Sequence, residues 1–437
     1  MDFSFPLTIS PRLGLLLLAI SLAFLPGSLR AQMGNDNPTG ISGAYNGNVN
    51  TAGSYDPYTG NATRSVTDIT VAGAVGAYPL AFTRTMNSRY TVGAGTWEMG
   101  TAGSWRHNYQ WSIKPTYLDS YNAGILPVTY TVDYPDGRRV SFSAMAGDSA
   151  FRGGLGISDR FQQMQSEGDP NVYLLLPDGG KIWFEVSIDR EQLWDGGPTR
   201  SSFSYSFMGI IDPYGQTTTV SYPADGSMTI TEPAGRWLKL FYITTPWMGD
   251  TVLVNVQASD GRSVVYNYGP YQPAGATTYS YLGNVQYLDT NGASYAQAIY
   301  AYQPSNTDAN GRPLIYWAID PMYTGPMWAI SYFFVPGSAG GVYGQLQSEN
   351  YLDPFTGTPG QAVSSLSQNG NTRTETRGDG PSRTFNYNGG KLVNYTDFRG
   401  HTSYIPTMAT DSSPGLPTRE ITSRLLHAIV SSGLSAR

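Results

Sequence analysis

The sequence predicts an all-β protein whose repeated β-hairpins stack into a long twisted sheet or partial β-shell. Composition is the first reason. Gly (51) and Pro (29) make about 18% of the 437 residues, while the charged residues make only 13%, roughly half the usual share. Helical bundles and coiled coils need far more Glu, Lys, Leu and Ala. The second reason is aromatic content: 32 Tyr, 16 Phe and 9 Trp supply too much apolar surface for a disordered chain. The third is a recurring turn that punctuates alternating runs such as 217–222 (TTTVSY) and 262–268 (RSVVYNY), the period of a half-buried strand.

Taken in order, residues 13–25 (LGLLLLAISLAFL) follow Arg12 and precede Pro26-Gly27. This is a signal-peptide hydrophobic region, too short to cross a bilayer comfortably. We expect residues 1–31 to be a signal peptide cut after Ala31, making the protein secreted or displayed at the cell surface. No membrane span is expected after its removal. Residues 32–55, rich in Gly and Asn, read as a flexible leader that tightens near Tyr55. A first β domain is expected over 56–129, with strand-like runs at 79–84 and 109–113. Residues 130–404 read as the hairpin-repeat sheet, and 405–437 as a linker with a short helix over 420–430.

The turns of the repeat region read YPDGR (134–138), LPDGG (176–180), DPYGQ (212–216), PADG (223–226), EPAGR (232–236), SDGR (259–262), DTNG (289–292), DANGR (308–312) and DFRG (397–400). Pro presets φ at the second turn position, Asp or Asn bonds its own backbone, and Gly takes a positive φ freely. Gly215, Gly226 and Gly235 lie 11 and 9 residues apart, and Gly390 and Gly400 lie 10 apart. Two such steps make a hairpin unit too small to bury its own apolar face, so neighbouring units must stack. The longer steps between Gly235, Gly261, Gly292 and Gly311 leave an irregular β-sandwich as the competing reading.

Two segments resemble Rhs proteins. Residues 387–404 (YNGGKLVNYTDFRGHTSY) resemble the family's YD repeat, with Asn388 where Asp usually follows the Tyr, and 212–242 look like a second, poorer copy. Residues 56–61 (DPYTGN), 67–69 (TDI), 79–89 (PLAFTRTMNSR) and 103–109 (GSWRHNY) are similar to the domain that precedes those repeats. Met86 replaces a usual Tyr, and Ser104 breaks the glycine pattern before Trp105. The resemblance implies an exported scaffold whose sheet spirals into a hollow shell, enclosing a toxin or binding sugars and neighbouring cells. A short chain of this kind leaves an open sheet edge, so a partner chain completing the shell is also expected.

The net charge of −6 and the lack of a basic cluster argue against nucleic acid. With no cysteine, disulfides, thiolate metal sites and cysteine nucleophiles are excluded. His107, His401 and His427 show no ligand spacing, and the Asp/Asn-rich turns match no calcium-loop spacing, so no metal or cofactor is expected. Glu98, Glu185, Glu191, Glu232 and Glu349 are isolated acids that sequence cannot pair for glycoside hydrolysis, and no catalytic residue is assigned. Trp105 and Trp111, six residues apart, are expected to face inward from one strand if it is continuous. Trp194 and Trp247 lie on expected loops, where an exposed indole suits a sugar or another surface ligand. A non-enzymatic β-scaffold is therefore the leading reading. A carbohydrate-binding module is the second, and a secreted polysaccharide hydrolase or lyase the third.

Overall fold

The computed structural model describes residues 54–55, 60–88, 98–102, 105–117, 127–144, 150–154, 157–164, 169–192, 199–271, 279–307, 312–319, 329–334, 346–352, 359–388 and 391–405. The expected signal peptide, most of the leader and the expected C-terminal helix lie outside them. All regular elements described are strands. Four of them, β1 (Ser54–Tyr55), β2 (Ala62–Thr70), β3 (Ala81–Asn87) and β4 (Trp105–His107), form a small antiparallel sheet in chain order.

From β5 (Ser112–Thr116) to Thr402–Tyr404, each strand pairs antiparallel with its chain neighbour, so the rest of the described chain is one long meander. Among the described residues no ladder joins Thr402–Tyr404 back to β5, and the sheet is not closed into a barrel. It curls instead. The Tyr117 ring, just past β5, lies 6.0 Å from Phe203 of the strand Thr199–Ile211, and Tyr130 lies 6.0 Å from Tyr205 of that strand.

The hairpins have a shared cause. At 212–216 the Asp212 N–H donates to the Gln216 carbonyl (2.9 Å) and the Gly215 N–H to the Asp212 carbonyl (3.0 Å). Gly215 takes φ 83°. This is a three-residue loop, a turn followed by a left-handed residue, and only Gly enters that region without strain. The same bonds close 134–138, 176–180, 232–236, 258–262, 289–293, 377–381 and 397–401. Because the strands alternate in direction, these turns all fall at one end of the sheet.

One apolar core spans both sheets: Phe82, Met86 and Trp105 of the small sheet pack with Leu238, Val256, Tyr266 and Leu282 of the long one. The C-terminal strands have a smaller cluster of Phe385, Tyr387 and Leu392. Trp105 and Trp111 both reach the main core, Trp105 from β4 and Trp111 from the residue just before β5, because a turn at 108–109 divides the two strands. The continuous strand that would link them does not form.

The outward face of the last five strands has its own character. Register aligns Ser367, Thr374, Thr384, Thr396 and Thr402 in one row across Pro359–Asn369, Thr372–Arg377, Ser382–Asn388, Lys391–Thr396 and Thr402–Tyr404. A parallel row holds Asn369, Thr372, Asn386, Asn394 and Tyr404. A shorter one holds Ser365, Thr376 and Ser382.

Candidate functional site: the seam between the two sheets

Residues 70–78, between β2 and β3, cross the row of hairpin turns as a strap. Arg262 Nη2 of the turn 258–262 donates to the Thr70 carbonyl (2.7 Å). Next, the Val75 N–H donates to Glu232 Oε2 (3.1 Å) and the Ala77 N–H to Asp212 Oδ2 (2.8 Å). Finally the Tyr78 hydroxyl donates to Asp178 Oδ2 (2.8 Å). A Cβ on Gly180 would overlap that Tyr78 hydroxyl, so the glycine makes room for the ring. Four successive turns at this end of the sheet thus hold one segment, and the acids of three of them, Asp178, Asp212 and Glu232, do more than close their own turns.

Beneath the strap, two strands of the small sheet bury an ion pair. Arg84 Nε donates to Asp68 Oδ2 (2.7 Å), with both side chains fully buried. Asp68 also accepts from the Tyr266 hydroxyl (2.8 Å) and the Tyr287 hydroxyl (2.6 Å), both on the long sheet. The Arg84 guanidinium lies 4.7 Å from the Trp105 ring and 4.9 Å from the Tyr300 ring, within cation–π range. Burial works against the Arg84 charge, but Asp68 together with the Tyr300 and Tyr287 hydroxyls more than reverses this and the pKa is raised. Asp68 reaches this position through a bulge: β2 and β3 slip register between Thr67 and Ile69, and Asp68 and Ile69 are both buried.

The second polar centre surrounds residues 98–102. His107 Nε2 and Glu98 Oε2 are 2.7 Å apart, and the Tyr242 hydroxyl donates to the same oxygen (3.0 Å). Burial raises the Glu98 pKa, but the hydrogen bond and charge of His107, with Tyr242 and Arg106, more than reverse this and leave it lowered. A glycosidase general acid needs the opposite shift. The backbone continues the docking: the Leu253 N–H donates to the Glu98 carbonyl, and the Thr101 and Ala102 N–H groups donate to the Ser280 carbonyl. Gly100 lies so close that a Cβ would stand 2.7 Å from that carbonyl oxygen.

Trp247 lies beside this centre. Its indole N–H donates to Ser280 Oγ (2.9 Å), and Ser280 Oγ donates to Asp250 Oδ1 (3.1 Å). The side chain remains 36% exposed, and the neighbouring Met248 is exposed as well. Trp194, Trp97 and Trp328 fall outside the described residues. Of the acids singled out above, Glu98 and Glu232 join the seam at separate points, Glu185 and Glu191 are exposed on Lys181–Gln192, and the Glu349 side chain falls outside the description. No group of three or more His, Asp or Glu able to hold a metal occurs among the described residues.

The strap carboxylates give the seam a pH dependence. Burial raises the Asp212 pKa, but the N–H groups of Ala77, Gln216 and Tyr214 reverse this and lower it. Glu232 is lowered in the same way by Ala234, Arg236 and Val75, against its burial. A lowered folded-state pKa contributes stability above the unfolded carboxylate range and loses it as pH falls through the folded value. Acid release of the small sheet should therefore begin only below about pH 4. An acid titration followed by near-ultraviolet circular dichroism checks this, and Asp212→Asn/Glu232→Gln should flatten the transition. A transition centred above pH 5 would exclude these carboxylates as its cause.

No family model matches the chain, and no curated protein does. Among solved structures, the chain is similar to a porin-like protein from Bacteroides uniformis, at 12% identity over 54% of this chain and 93% of that one, with a TM-score of 0.19. It is also similar to a Tc holotoxin pore from Photorhabdus luminescens, at 14% identity over 81% of this chain and 17% of that one, TM-score 0.23. The N-terminal domain of the effector SpvB from Salmonella typhimurium gives 11% identity over 74% and 100%, TM-score 0.18. Superpositions this loose do not bear on the function.

Proposed function

We propose that the chain is an exported, non-enzymatic β-scaffold of the Rhs/YD-repeat kind, serving surface binding or forming part of a toxin-enclosing shell. One observation carries this reading. The acids gathered at the seam (Asp68, Glu98, Asp212 and Glu232) are each bonded to a basic group, a tyrosine hydroxyl or a backbone N–H. Groups committed in this way hold two sheets together and have little freedom to exchange protons with a substrate. The full chain, exported and incubated with a panel of polysaccharides, is expected to release no new reducing ends. Turnover that disappears in Glu98→Gln, with folding intact, would replace this reading with the hydrolase.

Carbohydrate binding at Trp247 is the second reading, favoured by a half-open indole whose orientation is fixed by Ser280. If polysaccharide changes the emission of the wild-type chain but not of Trp247→Phe, Trp247 is a contact. An unchanged emission in both ends that version. A partner chain completing the shell would pair with Thr402–Tyr404, whose three residues are exposed and whose ladder among the described residues is to Lys391–Thr396, since an unpaired strand edge invites pairing.

A further inference from the structure

We infer that Met248 is a peroxide-sensitive modification site whose oxidation loosens the clasp at residues 98–102. The inference goes beyond the scaffold reading and holds whatever that scaffold binds. A chain without cysteine has no thiol to oxidise, so its 12 methionines carry all of its sulfur chemistry.

Burial separates one described methionine from the rest. Met86 and Met99 are fully buried and Met228 is 7% exposed, whereas Met248 keeps 39% of its surface open. Met164 and Met208 lie between these limits. Met248 belongs to the loop 245–250, which joins Trp237–Thr244 to Thr251–Ala258. The Thr245 N–H donates to the Asp250 carbonyl (2.8 Å) and the Gly249 N–H to the Thr245 carbonyl (2.9 Å), so the loop is closed by its own backbone. The thioether is thereby held at the surface, and a methionine reacts according to its access to oxidant.

Exposure alone would make Met248 a site of damage; its partner makes it a switch. The Thr101 hydroxyl donates to Met248 Sδ (3.8 Å), and Thr101 is itself buried. Thr101 Oγ1 also accepts from the Ser280 N–H (2.8 Å), while the Thr101 and Ala102 N–H groups donate to the Ser280 carbonyl (2.8 and 3.0 Å). Adjacent residues of one loop thus hold both halves of this contact. Trp247 bonds Ser280, and Met248 bonds Thr101. The clasp has no slack, since a Cβ on Gly100 would stand 2.7 Å from the Ser280 carbonyl oxygen.

In the modification, a lone pair of Met248 Sδ attacks one oxygen of a peroxide. The S–O bond forms as the O–O bond breaks. The displaced hydroxide takes the proton of the transferred oxygen and leaves as water. Sulfur gives up two electrons and the peroxide gains the same two. The product is a polar sulfoxide in place of a flexible apolar thioether. Sulfur drawn positive by its new oxygen no longer accepts from Thr101, and the polar side chain turns toward water.

The test treats the full chain with hydrogen peroxide and follows the gain of one oxygen at each methionine by peptide mass spectrometry. Met248 should oxidise roughly tenfold faster than Met86, Met99 and Met228. Hydrogen exchange at the Thr101 and Ala102 amides should then rise roughly tenfold. The two stereospecific methionine sulfoxide reductases, added together, should restore the slow exchange. Met248→Leu, close in volume, removes the sulfur and should make these amides indifferent to peroxide. Met248→Gln, polar at the same position, should raise their exchange without peroxide. Oxidation of the buried methionines as fast as Met248 overturns the proposal. So does unchanged or slower exchange at Thr101 and Ala102 once Met248 is oxidised, or an equal response to peroxide in Met248→Leu.

Discussion

Asp68→Asn is expected to lower folding stability by about 3–5 kcal/mol, the cost of leaving a buried charge without its partner. The substitution strands the fully buried Arg84 guanidinium between the Trp105 and Tyr300 rings. It also turns the acceptor shared by Tyr266 and Tyr287 into an amide that satisfies them less well. Urea unfolding measures the loss. The double variant Asp68→Leu/Arg84→Met should recover much of it, because removing both members of a buried pair is far milder than removing one. A loss below 1 kcal/mol in the single variant would mean that the pair is hydrated.

Phe82→Ala should cost about as much, 3–5 kcal/mol, from lost burial and the cavity left behind. The ring is fully buried, stacks on His107 at 5.1 Å and lies 5.7 Å from Tyr266. It therefore backs both polar centres of the seam. Besides the stability loss in urea, the small sheet should become accessible to protease before the long sheet does. If the two sheets are instead cleaved together at unchanged denaturant midpoint, Phe82 does not brace the seam.

The hairpins were legible because their chemistry is local. A turn such as DPYGQ carries its acid and glycine within five residues, and the observed loops use both as the sequence suggests, with or without a proline. The Asp68–Arg84 pair was far less so. Arg84 shares a strand face with the buried Phe82 and Met86. Asp68 gave no hint of burial, because the bulge that buries it together with Ile69 depends on pairing with β3. The strap was hidden for a related reason. Asp212 and Glu232 explain their own turns completely, so nothing local announced a second partner 135 or 157 residues away.

Trp247 was picked out as a loop aromatic and does keep an open flank. Its bond to Ser280, across 33 residues, could not be read from either segment. The hydroxyl rows were visible strand by strand as Thr and Ser in alternate positions, yet their alignment needs the register of five strands. The Thr–Thr and Asn–Asn partners only become neighbours once the hairpins set that register.

Native-state hydrogen exchange tests the central claim, that the small sheet and the long sheet are one scaffold locked by the buried seam. Amides of Ala62–Thr70 and Ala81–Asn87 should exchange with the same opening free energy as those of Ser263–Tyr271 and Tyr279–Leu288, and Asp68→Asn should lower all four strands together. A small sheet that opens at much lower free energy than the long sheet, with the long sheet unaffected by Asp68→Asn, would contradict it.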